Sequence, residues 1–109
     1  MKRGDIVVVA MSGDFGKVRP ALVVQNDQAN EKHASVVVCP LSSHLIDAPL
    51  FRILVEPSPA NGLQNLSQIM VDKATAVKRE RVRQVVGRVD DEVMVQVNRT
   101  LALWLGLGG

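Results

Sequence analysis

The sequence predicts a small, mainly β protein of the α+β class, a strongly curved β barrel that ends in one α-helix. Short runs rich in valine, isoleucine and leucine, each bounded by turn residues, fill the first two-thirds of the chain. Near residue 90 the apolar residues change to a spacing of three and four, which is the helical period. A chain of 109 residues has room for one core, burying roughly 65% of its unfolded surface, so we expect a single domain over residues 1–109.

The strands are predicted from the position of the apolar runs and of the turn residues between them. They fall at Ile6–Ala10, Ala21–Gln25, Ser35–Pro40, Phe51–Glu56, Gln68–Val77 and Val82–Val89, with the fifth run interrupted at Asp72–Lys73. The glycine-containing segment Met11–Lys17 is short enough to make the first two strands a hairpin. Asn26–Lys32 is polar and predicts a helical turn or a loop. Pro57–Gln64 cannot continue a central strand, because its two prolines lack ladder donors.

The C-terminal helix has both of its ends marked in the sequence. Asp90 or Asp91 can cap its start, and Gly106 can end it. An apolar stripe at spacing four, four and three is formed by Val93, Val97, Leu101 and Trp104, and we expect it to be buried against the sheet. The last turns are apolar on nearly every side, which predicts a second buried face between the subunits of a homodimer.

Cysteine and histidine usage excludes several classes of site. Cys39 is the only cysteine, so no intrachain disulfide forms, and its apolar surroundings in sequence indicate a small buried hydrophobe. With His33 and His44 as the only histidines, no zinc-ligand spacing can be assembled, and no phosphate-binding glycine motif is present. We therefore expect no metal and no cofactor. The apolar runs are far shorter than the roughly 18 residues of a membrane span, so a cytoplasmic location without membrane contact is expected.

The small positive net charge of +2 is unevenly distributed. One basic cluster comprises Lys73, Lys78, Arg79, Arg81, Arg83 and Arg88, opposed only by Glu80. A second comprises Lys2, Arg3, Lys17 and Arg19. Such clusters are commonly solvated faces. If folding merged them into one groove, the groove would suit a polyanion.

Several motifs, in the same order along the chain, resemble those of the MazF/PemK toxins. They are Arg3-Gly4-Asp5-Ile6-Val7, Val18-Arg19-Pro20-Ala21-Leu22-Val23-Val24, Val38-Cys39-Pro40-Leu41-Ser42-Ser43 and Val86-Gly87-Arg88-Val89. The resemblance implies an SH3-like barrel of the CcdB/PemK type and a homodimer. It also implies a metal-independent endoribonuclease that cleaves single-stranded mRNA, leaving a 2′,3′-cyclic phosphate and a 5′-hydroxyl. As the toxin of a type II toxin–antitoxin system, such a protein has a cognate antitoxin, for which we expect an acidic disordered segment that competes with RNA.

Arg19 is the first candidate for catalysis, because it resembles the arginine of the family's Arg-Pro motif. A guanidinium can form two parallel hydrogen bonds to two oxygens of one phosphate. Pro20 restricts the backbone of Arg19 to an extended conformation. Without the resemblance, an ordinary exposed arginine at the start of a strand would be the simpler interpretation.

Ser42 matches the hydroxyl residue that follows the family's third strand. Its hydroxyl either contacts the scissile phosphate or closes a turn, and Ser43 would act in its place if the register differed by one. Asp72 is a candidate base or substrate-binding group, against the alternative of a turn aspartate, and Lys73 is a candidate phosphate contact. His44 can transfer protons near neutral pH, although a histidine on a surface loop is the simpler alternative. The sequence does not assign the general base to one residue.

Further RNA contacts are expected from one aromatic residue and from the basic clusters. Phe15 can stack on a base or anchor its loop on the barrel. Lys17, Arg79 and Arg81 are candidates for binding RNA phosphates. Two other functions compete with the nuclease. One is a CcdB-like, non-enzymatic DNA-gyrase poison on the same fold, which also ends in an apolar helix. The other is a non-catalytic RNA-binding barrel.

Overall fold

The computed structural model describes residues 1–11 and 17–108, and they form an antiparallel sheet with a long C-terminal helix. The strands and α-helices are β1 (Asp5–Ala10), β2 (Val18–Val23), α1 (Asp27–Asn30), β3 (Ser35–Ser42), β4 (Arg52–Val55), β5 (Ser67–Met70), β6 (Thr75–Lys78), β7 (Val82–Arg88) and α2 (Asp91–Leu105). Two single 3₁₀ turns lie at Val71–Lys73 and Arg79–Arg81. The predicted mainly β fold with a C-terminal helix is confirmed.

The sheet has the strand order β4-β5-β3-β2-β1-β7, and β6 also pairs with β3. β5 and β6 lie end to end along β3, with Leu41 opposite Ile69 and Val36 opposite Val77. The 3₁₀ turn at Val71–Lys73 separates them, so the predicted interruption at Asp72–Lys73 is confirmed. One bent β segment therefore borders β3 along most of its length.

Five strands curl around a cluster of small apolar side chains. These strands are β6, β3, β2, β1 and β7, and the enclosed residues are Val7, Val9, Ala21, Val23, Val36, Val38 and Val77. Register shifts between β1 and β7, between Ile6 and Val7 and again between Val8 and Val9, increase the local bend. The 3₁₀ turn at Arg79–Arg81 links β6 covalently to β7, but no ladder joins these two strands within the described ranges. The predicted curvature is present, and the barrel is open rather than fully closed.

A second apolar cluster fills the space between the other face of the sheet and α2. Ile6, Leu22 and Cys39 belong to it, whereas Val7 belongs to the first cluster, because successive side chains of a strand point to opposite faces. Burial removes the Cys39 thiol from water, which disfavours the thiolate and raises its pKa to about 12. The single cysteine is therefore a core residue, as predicted.

The ends of α2 are as predicted, but its buried stripe differs at one position. The Asp90 carboxylate accepts a hydrogen bond of 2.9 Å from the Val93 N–H, and Gly106 ends the helix with a φ of 72°. Val97 is buried, and Val93 and Leu101 pack beside it. Met94 completes this face.

The prediction that Trp104 is buried was wrong. Its side chain is 44% exposed and packs edge-on against Phe51, with 4.9 Å between the ring centroids. Leu103 and Leu105 in the last turn of α2 are 58% and 59% exposed, and Leu107, just after the helix, is 75% exposed. Within the described part of the chain, no helix is long and apolar enough to cross a membrane.

Candidate active site

An open cleft of about 500 Å³ lies where the beginning of β2, the end of β3 and the segment after β4 meet. It is lined by Val8, Arg19, Pro20, Leu41, Ser42, Ser43, His44, Gly62, Leu63, Gln64, Asn65, Ser67 and Val86. Four residues predicted from the sequence thus share one site, namely Arg19, Ser42, Ser43 and His44.

Arg19 reaches the cleft from the second position of β2. It lies opposite Val9 of β1, and its neighbour Pro20 lies opposite Val8, which also lines the cleft. The residue is exposed to solvent. The guanidinium is the only basic group among the described residues of the lining that stays charged at every physiological pH.

The hydroxyl of Ser42 shapes the turn that follows β3. Its Oγ accepts a hydrogen bond of 3.1 Å from the His44 N–H and donates to the His44 carbonyl oxygen at 3.4 Å. The turn interpretation of Ser42 therefore holds, and the same turn brings Ser43 and His44 to the cleft. Both of these side chains are exposed.

Gln68, which the sequence analysis did not single out, fixes the segment after this turn. Its Oε1 accepts from the Ile46 N–H at 3.0 Å, and its Nε2 donates to the Ile46 carbonyl oxygen at 2.8 Å. Gln68 is a buried residue of β5 paired with Ser42 of β3. Its side-chain amide thus binds both backbone groups of Ile46, as a neighbouring strand would. A polar side chain within a predicted strand was the signal available in the sequence.

The other wall of the cleft is a segment that was predicted only as a loop. The buried Asn61 side chain accepts from the N–H groups of Ser58 and Leu63, both at 3.0 Å, and donates to the Glu56 carbonyl oxygen at 2.8 Å. Gly62 has a φ of +70°, and a Cβ at that position would lie 2.2 Å from the Val86 carbonyl oxygen. Only glycine fits there. The loop is therefore held directly against β7.

Asp72 and Lys73 lie outside the residues that line the cleft. The Asp72 carboxylate pairs with Arg52, with Nε to Oδ1 at 3.3 Å and Nη2 to Oδ2 at 3.4 Å. Arg52 of β4 lies opposite Met70 of β5, so the ion pair joins β4 to the 3₁₀ turn that follows β5. Both side chains are largely buried, at 11% and 24% exposure, whereas Lys73 is exposed. The geometry supports a structural role for Asp72.

Arg79 and Arg81 also lie away from the cleft lining. Arg79 donates from Nε to the His33 carbonyl oxygen at 2.8 Å and from Nη2 to the Asn30 carbonyl oxygen. Arg81 Nη1 lies 3.4 Å from the Ala10 carbonyl oxygen. The 3₁₀ turn directs both guanidinium groups to the backbone of neighbouring segments, so they tie β6 and β7 to the rest of the barrel.

The two basic clusters do not merge into one groove in the part of the chain that is described. Arg88 pairs with Asp5 at 3.1 Å, and Lys17 is exposed but does not line the cleft. Phe15, the candidate for base stacking, lies outside the described residues. Of the ten basic residues in the clusters, the cleft contains Arg19.

Among residues 1–11 and 17–108 no carboxylate lines the cleft, and no three His, Cys, Asp or Glu side chains come together as a metal site. The described residues of the lining offer a guanidinium, hydroxyls, an imidazole and two side-chain amides. That set suits the binding of a phosphate and the movement of a proton.

The fold and the cleft define a small, open β barrel with an arginine, two serines and a histidine gathered in one surface cleft. The family described as PemK-like, MazF-like toxin of type II toxin-antitoxin system matches residues 2–105. The chain therefore belongs to this toxin family.

Several similar proteins are named as endoribonucleases. The chain is 44% identical over 110 residues to the probable endoribonuclease MazF of Mycolicibacterium smegmatis, covering 100% of both chains. It is 27% identical to the endoribonuclease EndoA of Bacillus subtilis, covering 98% of this chain and 96% of that one. Among solved structures, an endoribonuclease in complex with its cognate antitoxin from a mycobacterial species superposes with a TM-score of 0.80 at 23% identity, covering 98% and 96% of the two chains. A MazE-MazF structure from Deinococcus radiodurans gives a TM-score of 0.78 at 20% identity, with 97% and 95% covered.

Proposed function

We propose that this chain is the toxin of a type II toxin–antitoxin system and an endoribonuclease that cleaves single-stranded mRNA at the cleft, which inhibits translation. The observation that carries the proposal is the convergence of Arg19, Ser42, Ser43 and His44 on one open site. Relatives that match over the whole chain are named endoribonucleases. We take residues 1–109 as one toxin domain acting in the cytoplasm, where mRNA is found.

In the proposed reaction the 2′-hydroxyl of the RNA attacks the adjacent phosphorus. The bond from phosphorus to the 5′-oxygen breaks, and the products are a 2′,3′-cyclic phosphate and a 5′-hydroxyl. One proton leaves the 2′-oxygen and one is added to the departing 5′-oxygen, so the protein must handle protons and stabilise charge on phosphorus. The nucleophile belongs to the substrate, so neither a covalent enzyme intermediate nor a metal is required.

Each cleft residue has a chemical role in this proposal. Arg19 holds two oxygens of the scissile phosphate and stabilises the charge that develops on them. The Ser43 hydroxyl donates to the same phosphate, while Ser42 keeps the turn in place and presents its own hydroxyl at the rim. His44 is the candidate proton acceptor, because a nitrogen of a neutral imidazole can accept a proton.

The remaining predicted residues receive more distant roles. Lys17 and Lys73 are exposed and can attract phosphates of the RNA strand outside the cleft. Asp72, Arg79 and Arg81 act through the fold, because their side chains already bind protein groups. Phe15 remains a candidate for stacking on a base.

We further propose two protein partners. The exposed leucines of the last turn of α2 suit a second copy of the chain, which gives a homodimer. A cognate antitoxin would use an acidic disordered segment whose carboxylates bind where RNA phosphates would lie. A solved relative in complex with its cognate antitoxin supports the existence of such a partner.

One comparison tests the nuclease against its alternatives. Purified protein is incubated with end-labelled single-stranded RNA in EDTA, and in parallel with DNA gyrase and supercoiled DNA. We expect RNA fragments with cyclic phosphate ends in EDTA and no effect on gyrase. Cleavage that stops on chelation and returns with magnesium would contradict the proposed chemistry. Gyrase inhibition without RNA cleavage would support the CcdB-like alternative, and RNA binding with neither effect would support a non-catalytic barrel.

A further inference from the structure

Two amide side chains stand next to each other in the wall of the cleft. Gln64 and Asn65 line the same site as Arg19 and Ser43, and both residues are exposed. In residues 1–11 and 17–108 no protein group forms a hydrogen bond with either side-chain amide. Their donors and acceptors are thus available to a ligand in the cleft.

The backbone that carries these amides is fixed on both sides. Before them, Asn61 makes three hydrogen bonds within the loop and Gly62 contacts the Val86 carbonyl. After them, the Asn65 carbonyl oxygen accepts a hydrogen bond of 2.9 Å from the Ser67 hydroxyl. A recognition group attached to a fixed backbone loses less conformational entropy on binding, which favours specificity.

From this arrangement we infer that Gln64 and Asn65 read nucleobases of the RNA beside the cleavage site through hydrogen bonds to the base edges. The inference rests on the proposed nuclease function. Contacts to phosphate position a nucleic acid, whereas contacts to base edges carry the sequence information. Arg19 and the serines are the phosphate-binding part of the cleft, so they do not distinguish one base from another.

The chemistry of an amide suits the edges of unpaired bases. Each amide presents an acceptor oxygen and a donor NH₂ group side by side, and single-stranded RNA leaves its Watson–Crick edges open. The neighbouring apolar residues Val8, Leu63 and Val86 offer surface against which the face of a base can lie. Adjacent parts of one cleft can thus form hydrogen bonds with the edge of a base and pack against its face.

The test is the sequence preference of cleavage in a pool of random single-stranded RNA, read by sequencing the new ends. We compare the wild type with Gln64→Ala, Asn65→Ala and Gln64→Glu, and use Gln96→Ala on the exposed surface of α2 as the matched control. Each alanine variant is expected to lose about tenfold preference at one position near the cut, the scale of one good base contact. Gln64→Glu presents only acceptors, so its preference should shift toward guanine, whose N1–H and N2 groups are both donors. The control should reproduce the wild-type pattern.

The outcomes distinguish recognition of bases by Gln64 and Asn65 from the nuclease function itself. If the wild type cuts with a preference that both alanine variants retain, the reading of bases by these amides is contradicted while the nuclease function stands. If the wild type cuts no RNA in the pool, the nuclease function itself fails and the reading of bases fails with it.

Discussion

At the scale of single residues, the same side-chain chemistry serves different ends in different parts of this barrel. Arg19 is exposed in the cleft, whereas Arg52 is largely buried against Asp72 and Arg79 donates to backbone carbonyls. The Arg-Pro motif singled out Arg19 in the sequence, but only the structure shows that Arg52 and Arg79 bind protein groups. We therefore expect substitution of Arg19 to lower activity but not stability, and substitution of Arg79 to lower stability but not activity.

Arg19→Ala should reduce RNA cleavage by about 10²-fold or more, the usual effect of removing one group that stabilises charge in the transition state. The measurement is the cleavage rate of labelled RNA at saturating enzyme. The melting temperature should barely change, because the side chain is exposed. Arg83→Ala, an exposed arginine of β7 outside the cleft, is the control and should cleave normally. Full activity in Arg19→Ala would remove this residue from the site.

Arg79→Ala should have the reverse effect. Its loss leaves the carbonyl oxygens of Asn30 and His33 without their donor and should lower the free energy of unfolding by about 1–3 kcal/mol. Urea denaturation measures this change, and the exposed neighbour Lys78→Ala is the control. The cleavage rate per folded molecule should stay near that of the wild type. A large fall in RNA binding without loss of stability would return Arg79 to the RNA-binding surface.

At the scale of secondary structure, the turn after β3 depends on a strand that is distant in sequence. The Gln68 amide of β5 holds both backbone groups of Ile46, and the Ser42 hydroxyl holds His44. The orientation of the cleft residues is thus set by β5 as well as by the turn itself.

Gln68→Ala should therefore act as the loss of a positioning residue. We expect a lower kcat with little change in KM, together with faster hydrogen exchange at the Ile46 amide. Gln68→Glu retains the acceptor for the Ile46 N–H but loses the donor, so it should recover part of the kcat. Gln84→Ala, an exposed glutamine of β7, is the control. Unchanged kcat despite faster exchange would show that the cleft does not depend on this contact.

The last turn of α2 predicts the oligomeric state. Leu103→Asp places a charge in the exposed leucine group and should shift a dimer at micromolar concentration toward the monomer in analytical ultracentrifugation. Val95→Asp, also exposed but about two turns earlier on α2, is a control for the effect of a new charge on the helix. If the dimer persists in Leu103→Asp, the interface lies elsewhere, and the free edges of the sheet become the first alternative.

Local signals in the sequence predicted the elements well. The break at Asp72–Lys73, the cap at Asp90 and the end at Gly106 each depend on a few neighbouring residues. The partner of Asp72 was not predictable, because it depends on the register between β4 and β5. For the same reason the contribution of Gln64 and Asn65 to the cleft could not be seen, since Gly62 meets Val86 across 24 positions of sequence. Trp104 was misassigned because helical spacing does not show where the sheet beneath the helix ends.

At the scale of the whole molecule, the residues proposed for catalysis lie in the cleft, whereas the exposed apolar surface lies at the end of α2. Arg19, Ser43 and His44 line the cleft, whereas Leu103 and Leu105 lie on the helix that follows the last strand. In the proposal, RNA and an acidic antitoxin segment thus bind the same cleft residues, whereas a second copy of the chain binds through the leucines of α2. If the antitoxin is held by charge at the cleft, its affinity should fall with added salt, while self-association through leucines should not.

Because Cys39 is buried, the rate at which its thiol is alkylated can report how often the core opens. The thiol is fully enclosed and stays protonated, so an alkylating reagent can modify it only in molecules that have opened. Since this is the only cysteine in the sequence, each modified molecule records one opening event without background from other sites. Mass spectrometry of samples alkylated for increasing times should give single-exponential labelling that speeds up in urea and in Arg79→Ala. Rapid labelling of the native protein would mean that the core between the sheet and α2 opens far more often than its packing implies.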